Sequence, residues 1–241
     1  PTFWATEITT YLGVAAVFLS LSWAEIKGEH VRVEAFVEKA PAWLRVRFDE
    51  ISTWLGLLFV TLCTVEMARY ALADWRAGTR SWGLLSTELW IPQVPVVLGL
   101  TGFAVTLALR ACAGARLRIP ALALILAGCL LAGALGRAGF RLDGVQAPWS
   151  LAVVALAVAL SAGLARGVAA GALVAGAALA TCGALVAAAI SGQTAASIVI
   201  VTLVFLFLAI GMRVAVALAL VGALGLVFLP PIPQTVVIAE R

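Results

Sequence analysis

Long runs of apolar residues alternate with short polar segments along this 241-residue chain. Seven runs come close to or exceed the about 20 residues that a helix needs to cross the hydrocarbon core of a bilayer. They lack the strict apolar and polar alternation of membrane strands, so each is predicted to be a helix. The runs are Phe3–Trp23, Ile51–Leu72, Trp90–Leu109, Ile119–Leu135, Trp149–Leu164, Val168–Ile190 and Ser197–Leu229.

The seventh run is longer than one crossing requires. Its middle carries Gly211, Met212 and Arg213, which add backbone flexibility and a charge. We therefore expect this run to split into two helices. The predicted fold class is an all-α, polytopic transmembrane protein with about seven to eight crossings.

Composition agrees with a membrane protein. The chain is 63% hydrophobic and 12% charged, with a mean hydropathy of +1.11, far from the values of soluble domains. Its net charge of +4 comes from basic residues scattered between apolar runs, which favours contact with membrane lipids and argues against a nucleic-acid partner. The four cysteines are widely separated, without a CxxC pair, so neither a zinc site nor a disulfide framework is expected.

One segment, Ala24 to Glu50, holds five of the 16 basic and six of the 12 acidic residues. Since apolar runs flank it on both sides, it is predicted to be a solvated or membrane-surface loop. After Pro41, Trp43 and Phe48 are interleaved with Arg45 and neighbouring charges. Such a pattern is typical of an interfacial amphipathic helix with its aromatic rings towards the lipid and its arginines towards water.

Basic residues also predict the orientation of the chain. If the segment 24–50 is cytoplasmic and every run crosses once, ten lysine and arginine residues lie on the cytoplasmic side and five on the opposite side. Cytoplasmic loops are normally the richer in positive charge. The predicted location is therefore a membrane, with both Ala24–Glu50 and the turn at Arg213 facing the cytoplasm.

No catalytic residues are predicted. The chain lacks a phosphate-binding loop, an HExxH motif and a GxSxG motif, and its only histidine, His30, cannot build a proton relay alone. Glu66 and Arg69, three residues apart near the end of the second run, are expected to form an intramembrane ion pair. A structural pair is favoured over an ion pathway because both residues lie near the predicted membrane edge. No metal ligands are predicted, and the protein is not expected to be an enzyme.

Motifs in the first half of the chain point to a family. A helix opened by Trp4-Ala5-Thr6-Glu7, the motif Gly28-Glu29-His30-Val31-Arg32-Val33-Glu34 and the later Trp90-Ile91-Pro92 resemble the small membrane subunit, of the DctQ type, of tripartite ATP-independent periplasmic (TRAP) transporters. The resemblance spans about Pro1 to Ala113 and lacks a counterpart of the family's first helix. It implies a DctQ-like region at residues 1–113.

A second resemblance begins near Ser197. The apolar stretch around Gly211-Met212-Arg213 is similar to the start of the large, DctM-type TRAP subunit, with Arg213 in place of a proline. The expected organisation is a DctQ-like region at 1–113, three connecting helices at 114–196 and the truncated start of a DctM-like region at 197–241. We expect both ends to be cuts in a longer protein.

These resemblances imply a function. A TRAP transporter of this kind would import a small organic anion, delivered by a periplasmic binding protein and driven by sodium, across the bacterial inner membrane. This chain would bind no cofactor itself, would carry no substrate-binding residue, and would hold the large subunit, expected beyond Arg241, in the bilayer. The residues expected at that scaffold interface are His30, Arg32, Glu34, Trp43, Arg45 and Phe48. The alternatives are a membrane anchor or assembly subunit of another complex, and a polytopic membrane enzyme.

Overall fold

The computed structural model describes residues 3–28, 38–39, 41–83, 85–135, 139–142, 145–191 and 193–228. Within these ranges the chain forms helices joined by short turns, together with one small hairpin. The helices are α1 (Phe3–Lys27), α2 (Ala42–Ala77), α3 (Trp90–Ala111), α4 (Arg118–Ala134), α5 (Trp149–Arg166), α6 (Val168–Ser191), α7 (Gln193–Ala209) and α8 (Val214–Phe228). Between α4 and α5, β1 (Gly139–Leu142) and β2 (Val145–Pro148) pair antiparallel, with Gly139 opposite Pro148.

The helical fold class is confirmed. Among the residues that the structure describes, α1, α2 and α3 are long and apolar enough to cross a membrane, and shorter apolar helices pack against them. The seventh apolar run does split, because α7 ends at Ala209 and α8 begins at Val214. Gly211 makes the turn with a positive φ of 83°, a conformation that glycine adopts without steric cost. The hairpin of β1 and β2 was not predicted.

The charged segment differs from the prediction at both ends. Residues 24–27 continue α1, and residues 42–50 form the first turns of α2 rather than a separate interfacial helix. No glycine or proline lies between Gly13 and Gly28 in α1, which ends at Gly28 with a φ of 73°, and none lies between Pro41 and Gly56 in α2. At 36 residues α2 is about 54 Å long, well beyond the about 30 Å of a hydrocarbon core. Part of α2 therefore extends past that core when the helix spans it.

Helix α2 lies at the centre of the packing. It contacts α3, α4, α5, α6 and α8, and its middle third, from Ser52 to Val65, contains its buried residues. Around it, α1 packs on α3, α4 packs on α5, and α5 packs on α6. The largest fully buried apolar side chains include Trp54, Leu57, Leu107 and Met212. The core is thus shared between α2 and helices from both halves of the chain.

Glycines set the closest helix contacts. A Cβ on Gly99 of α3 would overlap the carbonyl oxygen of Phe18 in α1, and one on Gly102 would lie 2.7 Å from the Ser22 Oγ atom. In the α5–α6 hairpin, a Cβ on Gly171 would lie 3.0 Å from the Gly163 Cα atom. Small residues let helix backbones approach in this way inside membranes. The α1–α3 spacing therefore depends on the absence of side chains at two positions.

Polar contacts divide the helix ends into two groups. The Glu25 end comprises the last turns of α1, α3 and α5 and the α7–α8 turn, which are joined by contacts of Glu25 and of Arg166. The Glu7 end comprises the start of α1, the last turn of α2, the 78–89 loop and the start of α3. Polar side chains thus hold neighbouring helices together at both ends.

Candidate functional site: a buried ion cluster

Glu25 lies in the last turn of α1 and is only 4% exposed. A carboxylate buried to this degree is rare unless a positive charge accompanies it. The α1 helix reaches Lys27 before Gly28 ends it, so Glu25 keeps a helical backbone and its side chain is directed into the packing of the Glu25 end. Two arginines meet it there.

Arg213 is the nearer partner and is 1% exposed. Its Nε atom donates to Glu25 Oε2 at 2.7 Å, and its Nη2 atom donates to Glu25 Oε1. Two parallel hydrogen bonds between a guanidinium and a carboxylate form the strongest and most orientation-specific kind of ion pair. Gly56 of α2 lies beside this pair, since a Cβ there would be 3.7 Å from the Arg213 Nη1 atom. The pair is therefore enclosed by α1, α2 and the α7–α8 turn.

Arg110 is the second partner, in the last turn of α3. Its Nη1 atom donates to Glu25 Oε1 at 2.9 Å, while its side chain remains 43% exposed. We call Glu25, Arg110 and Arg213 the Glu25 cluster. It places two positive charges on one carboxylate and joins α1, α3 and the α7–α8 turn. By joining these elements, the cluster can hold the helices in register.

A second carboxylate organises the Glu7 end. Glu7 accepts hydrogen bonds from the Tyr11 hydroxyl at 2.9 Å, from Ser81 Oγ at 2.7 Å and from the Leu85 amide at 3.4 Å. The chain at Gly83 passes so close that a Cβ would overlap the carboxylate. Glu7 thus fixes the 78–89 loop on the first turn of α1. Trp82 at the tip of this loop is fully exposed.

Of the residues predicted from the sequence, Glu66 and Arg69 lie together. The Arg69 Nη1 atom is 2.9 Å from Glu66 Oε1, which also accepts a hydrogen bond from Ser150 Oγ at 2.8 Å. Ser150 is buried in the first turn of α5, so this contact joins α2 to α5. The structural role expected for the pair stays a prediction.

Three of the six predicted scaffold residues lie among the described residues, and the scaffold interface itself stays a prediction. Trp43 is exposed, Phe48 is half-buried, and Arg45 donates from its guanidinium to the Glu38 carbonyl oxygen. All three residues lie in the first two turns of α2. His30, Arg32 and Glu34 lie outside the described residues. Among the residues that the structure does describe, no group of three or more histidine, cysteine, aspartate or glutamate side chains could hold a metal ion.

Residues 1–117 match the family model described as tripartite ATP-independent periplasmic transporters, DctQ component. This part of the chain belongs to the DctQ family. The resemblance seen in the Gly28–Glu34 motif is thereby confirmed, and the DctQ region is a membrane component of a TRAP transporter. No curated protein and no solved structure matched the chain.

The DctQ region supplies two of the three residues of the Glu25 cluster. Glu25 and Arg110 lie within the match, whereas Arg213 lies well outside it. Because the Arg213 pair is almost completely buried, it is a contact of the DctQ region with the C-terminal part of the same chain, made inside the fold. The cluster is the clearest structural connection between these two parts.

The sequence does not predict the Glu25 cluster. Its signal was present in Arg213, the single charge within the seventh apolar run, since a charge at such a position needs a partner. Glu25 begins a charge-dense segment, which predicts a solvated loop, whereas the structure places it in the last turn of α1 and buries it. The pair is separated by 188 residues, so no local pattern could have joined its members.

Proposed function

We propose that this chain is a membrane component of a TRAP-type secondary transporter that imports a small organic anion handed over by a periplasmic binding protein. In this proposal the DctQ region is a scaffold that holds the transport subunit in place. The family match supports the transporter class. The Glu25 cluster supports the scaffold role, because residues of the DctQ region fix the α7–α8 turn through a buried ion pair.

The proposed location is the bacterial inner membrane, with several crossings and with the Glu25 end in the cytoplasm. Two features support this orientation. The basic residues Arg110, Arg118, Arg166 and Arg213 are at or next to the Glu25 end, as expected for a cytoplasmic face. If every apolar run crosses the membrane once, the two partners in each contact of Glu7, Glu66 and Glu25 lie on the same side of the membrane. The observed contacts agree with that topology.

The region from residue 197 onwards is proposed to be the start of a DctM-like large subunit, fused to the DctQ region through the connecting helices. Its similarity to the opening of that subunit and the break between α7 and α8 at Gly211 support this assignment. In the complete transporter, the substrate and sodium sites would then lie in the large subunit and not in the DctQ region.

An uptake assay tests the proposal. Cells that express the full transporter with its binding protein are offered a panel of labelled small organic anions, with and without a sodium gradient. The scaffold variant changes Trp43→Ala, Arg45→Gln and Phe48→Ala on the first turns of α2. The matched control changes Leu72→Ala, Trp75→Ala and Arg76→Gln, three exposed residues near the opposite end of the same helix.

We expect the scaffold variant to lower the uptake of every transported anion while the order of preference among anions stays the same. The control should change uptake less, because its residues lie away from the proposed interface. A changed order of preference would contradict a scaffold role. Uptake that does not depend on the chain at all would contradict the transporter assignment itself.

A further inference from the structure

Two turns lie side by side at the Glu25 end, outside the Glu25 cluster. The first joins α3 to α4 at residues 112–117, and the second joins α5 to α6 at Gly167. The Arg166 Nε atom donates to the Ala111 carbonyl oxygen at 3.3 Å, which holds the second turn against the end of α3. Arg118 begins α4 directly after the first turn. We call the exposed residues Arg116, Arg118 and Arg166 the basic turn surface.

The charge on this surface is not neutralised by the described part of the chain. Arg116, Arg118 and Arg166 are exposed, and no described carboxylate forms an ion pair with any of them. Two of these charges act on the same buried atom. Burial raises the pKa of the Cys112 thiol, and the positive charges of Arg118 and Arg166 partly offset that increase. Both guanidinium groups are therefore close to the α3–α4 turn.

Two helices also begin at this surface. The first turn of α4 contains no acidic residue and has no side-chain cap, and the first turn of α6 contains no acidic residue either. The free amides at a helix start carry partial positive charge and favour an anion. Their fields add to those of the arginines, so this surface attracts anions strongly.

Exposed apolar side chains adjoin the arginines. Ile119 follows Arg118 and is 81% exposed, and Val168 follows the α5–α6 turn and is 85% exposed. Along α4, Leu126 and Leu130 are also exposed and continue a stripe that starts at Ile119. A free inorganic anion would use the positive charge alone. A phospholipid would use the positive charge and the apolar stripe together.

We propose that the basic turn surface binds an anionic phospholipid. The lipid phosphate contacts Arg118 and Arg166, and an acyl chain lies along the stripe of α4 from Ile119 to Leu130. Basic pockets between helix ends at a membrane surface recognise anionic headgroups in this way. Since Arg166 also holds the end of α3, a bound lipid would bridge the DctQ region and the connecting helices.

Native mass spectrometry of the full chain in detergent tests the proposal. The chain is titrated with phosphatidylglycerol, with phosphatidylcholine of the same acyl chains and with inorganic phosphate. We expect phosphatidylglycerol to bind more tightly than phosphatidylcholine, and inorganic phosphate not to displace it at equal concentration. Arg118→Gln should lower the affinity for phosphatidylglycerol about fivefold, the effect of one arginine at a membrane surface.

Arg166→Gln removes both the charge and the hydrogen bond to Ala111, so Arg166→Lys is the companion variant that keeps the charge. We expect Arg166→Gln to lower the affinity and Arg166→Lys to retain most of it. Arg76→Gln, which removes an exposed arginine from the last turn of α2 at the Glu7 end, is the control of equal net charge.

Three outcomes would overturn the proposal. Equal binding of the two lipids would show that headgroup charge is not recognised. An equal loss of affinity in the Arg76→Gln chain would show that only net charge matters. Displacement of the lipid by inorganic phosphate at equal concentration would show that the apolar stripe contributes nothing.

Discussion

Replacement of Glu25 by leucine should destabilise the protein more than the loss of any exposed ion pair. Leucine has a similar volume, so the change removes the charge while it keeps most of the packing. It takes away the carboxylate that neutralises Arg213, whose side chain is 1% exposed. The positive charge of Arg213 then stays inside the fold without the Glu25 carboxylate.

The expected magnitude follows from burial. Removal of one partner of a buried ion pair costs about 3–5 kcal/mol. The Arg110 side chain is 43% exposed, so its own contribution should fall in the range of about 0–1 kcal/mol that is measured for solvent-exposed pairs. Arg110→Gln should therefore be mild. Since about 1 kcal/mol shifts the midpoint of a protein of this size by about 2–4 °C, Glu25→Leu should lower the melting temperature by about 6–20 °C.

Thermal unfolding of the purified chain in one detergent measures these differences. The companion variants are Arg213→Met and the double variant Glu25→Leu with Arg213→Met. Hydrophobic residues of similar volume can replace a whole buried ion pair with little loss. The double variant should consequently be more stable than either single variant.

Two results would refute this reasoning. One is an equal decrease in melting temperature for Glu25→Leu and Arg110→Gln. That result would show that burial of the Glu25 carboxylate does not account for its contribution to stability. If the double variant were as unstable as the sum of the two single variants, Glu25 and Arg213 would act independently, and the bidentate pair would not be the unit that stabilises the fold.

Two further predictions concern the helix contacts and the orientation. Gly99→Val should lower the free energy of unfolding by about 1–3 kcal/mol, since its side chain would meet the Phe18 carbonyl oxygen. At Gly176 no described atom lies within 4 Å of an added Cβ. Gly176→Ala should therefore be neutral or stabilising by about 0.5–1 kcal/mol in the same melting assay. In a chain with its native cysteines replaced, Trp82→Cys should react with a membrane-impermeant maleimide in spheroplasts and Ala113→Cys only after lysis; the opposite pattern would reverse the proposed orientation.

The sequence predicts the helices of this protein well, because their signal is local. Apolar runs such as Trp90–Leu109 need only a length of about one bilayer, and α3 covers that run with two added residues. The turn at Gly211 was also predictable, since a glycine and a charge interrupt an apolar run that is too long for one crossing. Glu66 and Arg69 were paired from their helical spacing alone.

The contacts between distant helices could not be read in the same way. Glu25 looked like one charge among many in a polar segment, and only the continuation of α1 to Lys27 brings it into the packing. The first turns of α2 carry the composition of an interfacial helix, yet no residue breaks the helix between them and the apolar part. Side-chain pairing and the direction of a continuous helix are set by tertiary packing. A local sequence pattern carries no information about that packing.

The sequence separations within the Glu25 cluster set the order in which its members are synthesised. The ribosome adds about 5–20 residues per second, so Arg213 is made about 10–40 s after Glu25, 188 residues later. During most of that interval Arg110, only 85 residues from Glu25, is the sole member of the cluster available to the carboxylate. The nascent DctQ region can thus hold Glu25 on its exposed arginine first. The buried Arg213 pair can form only after the α7–α8 turn has been synthesised.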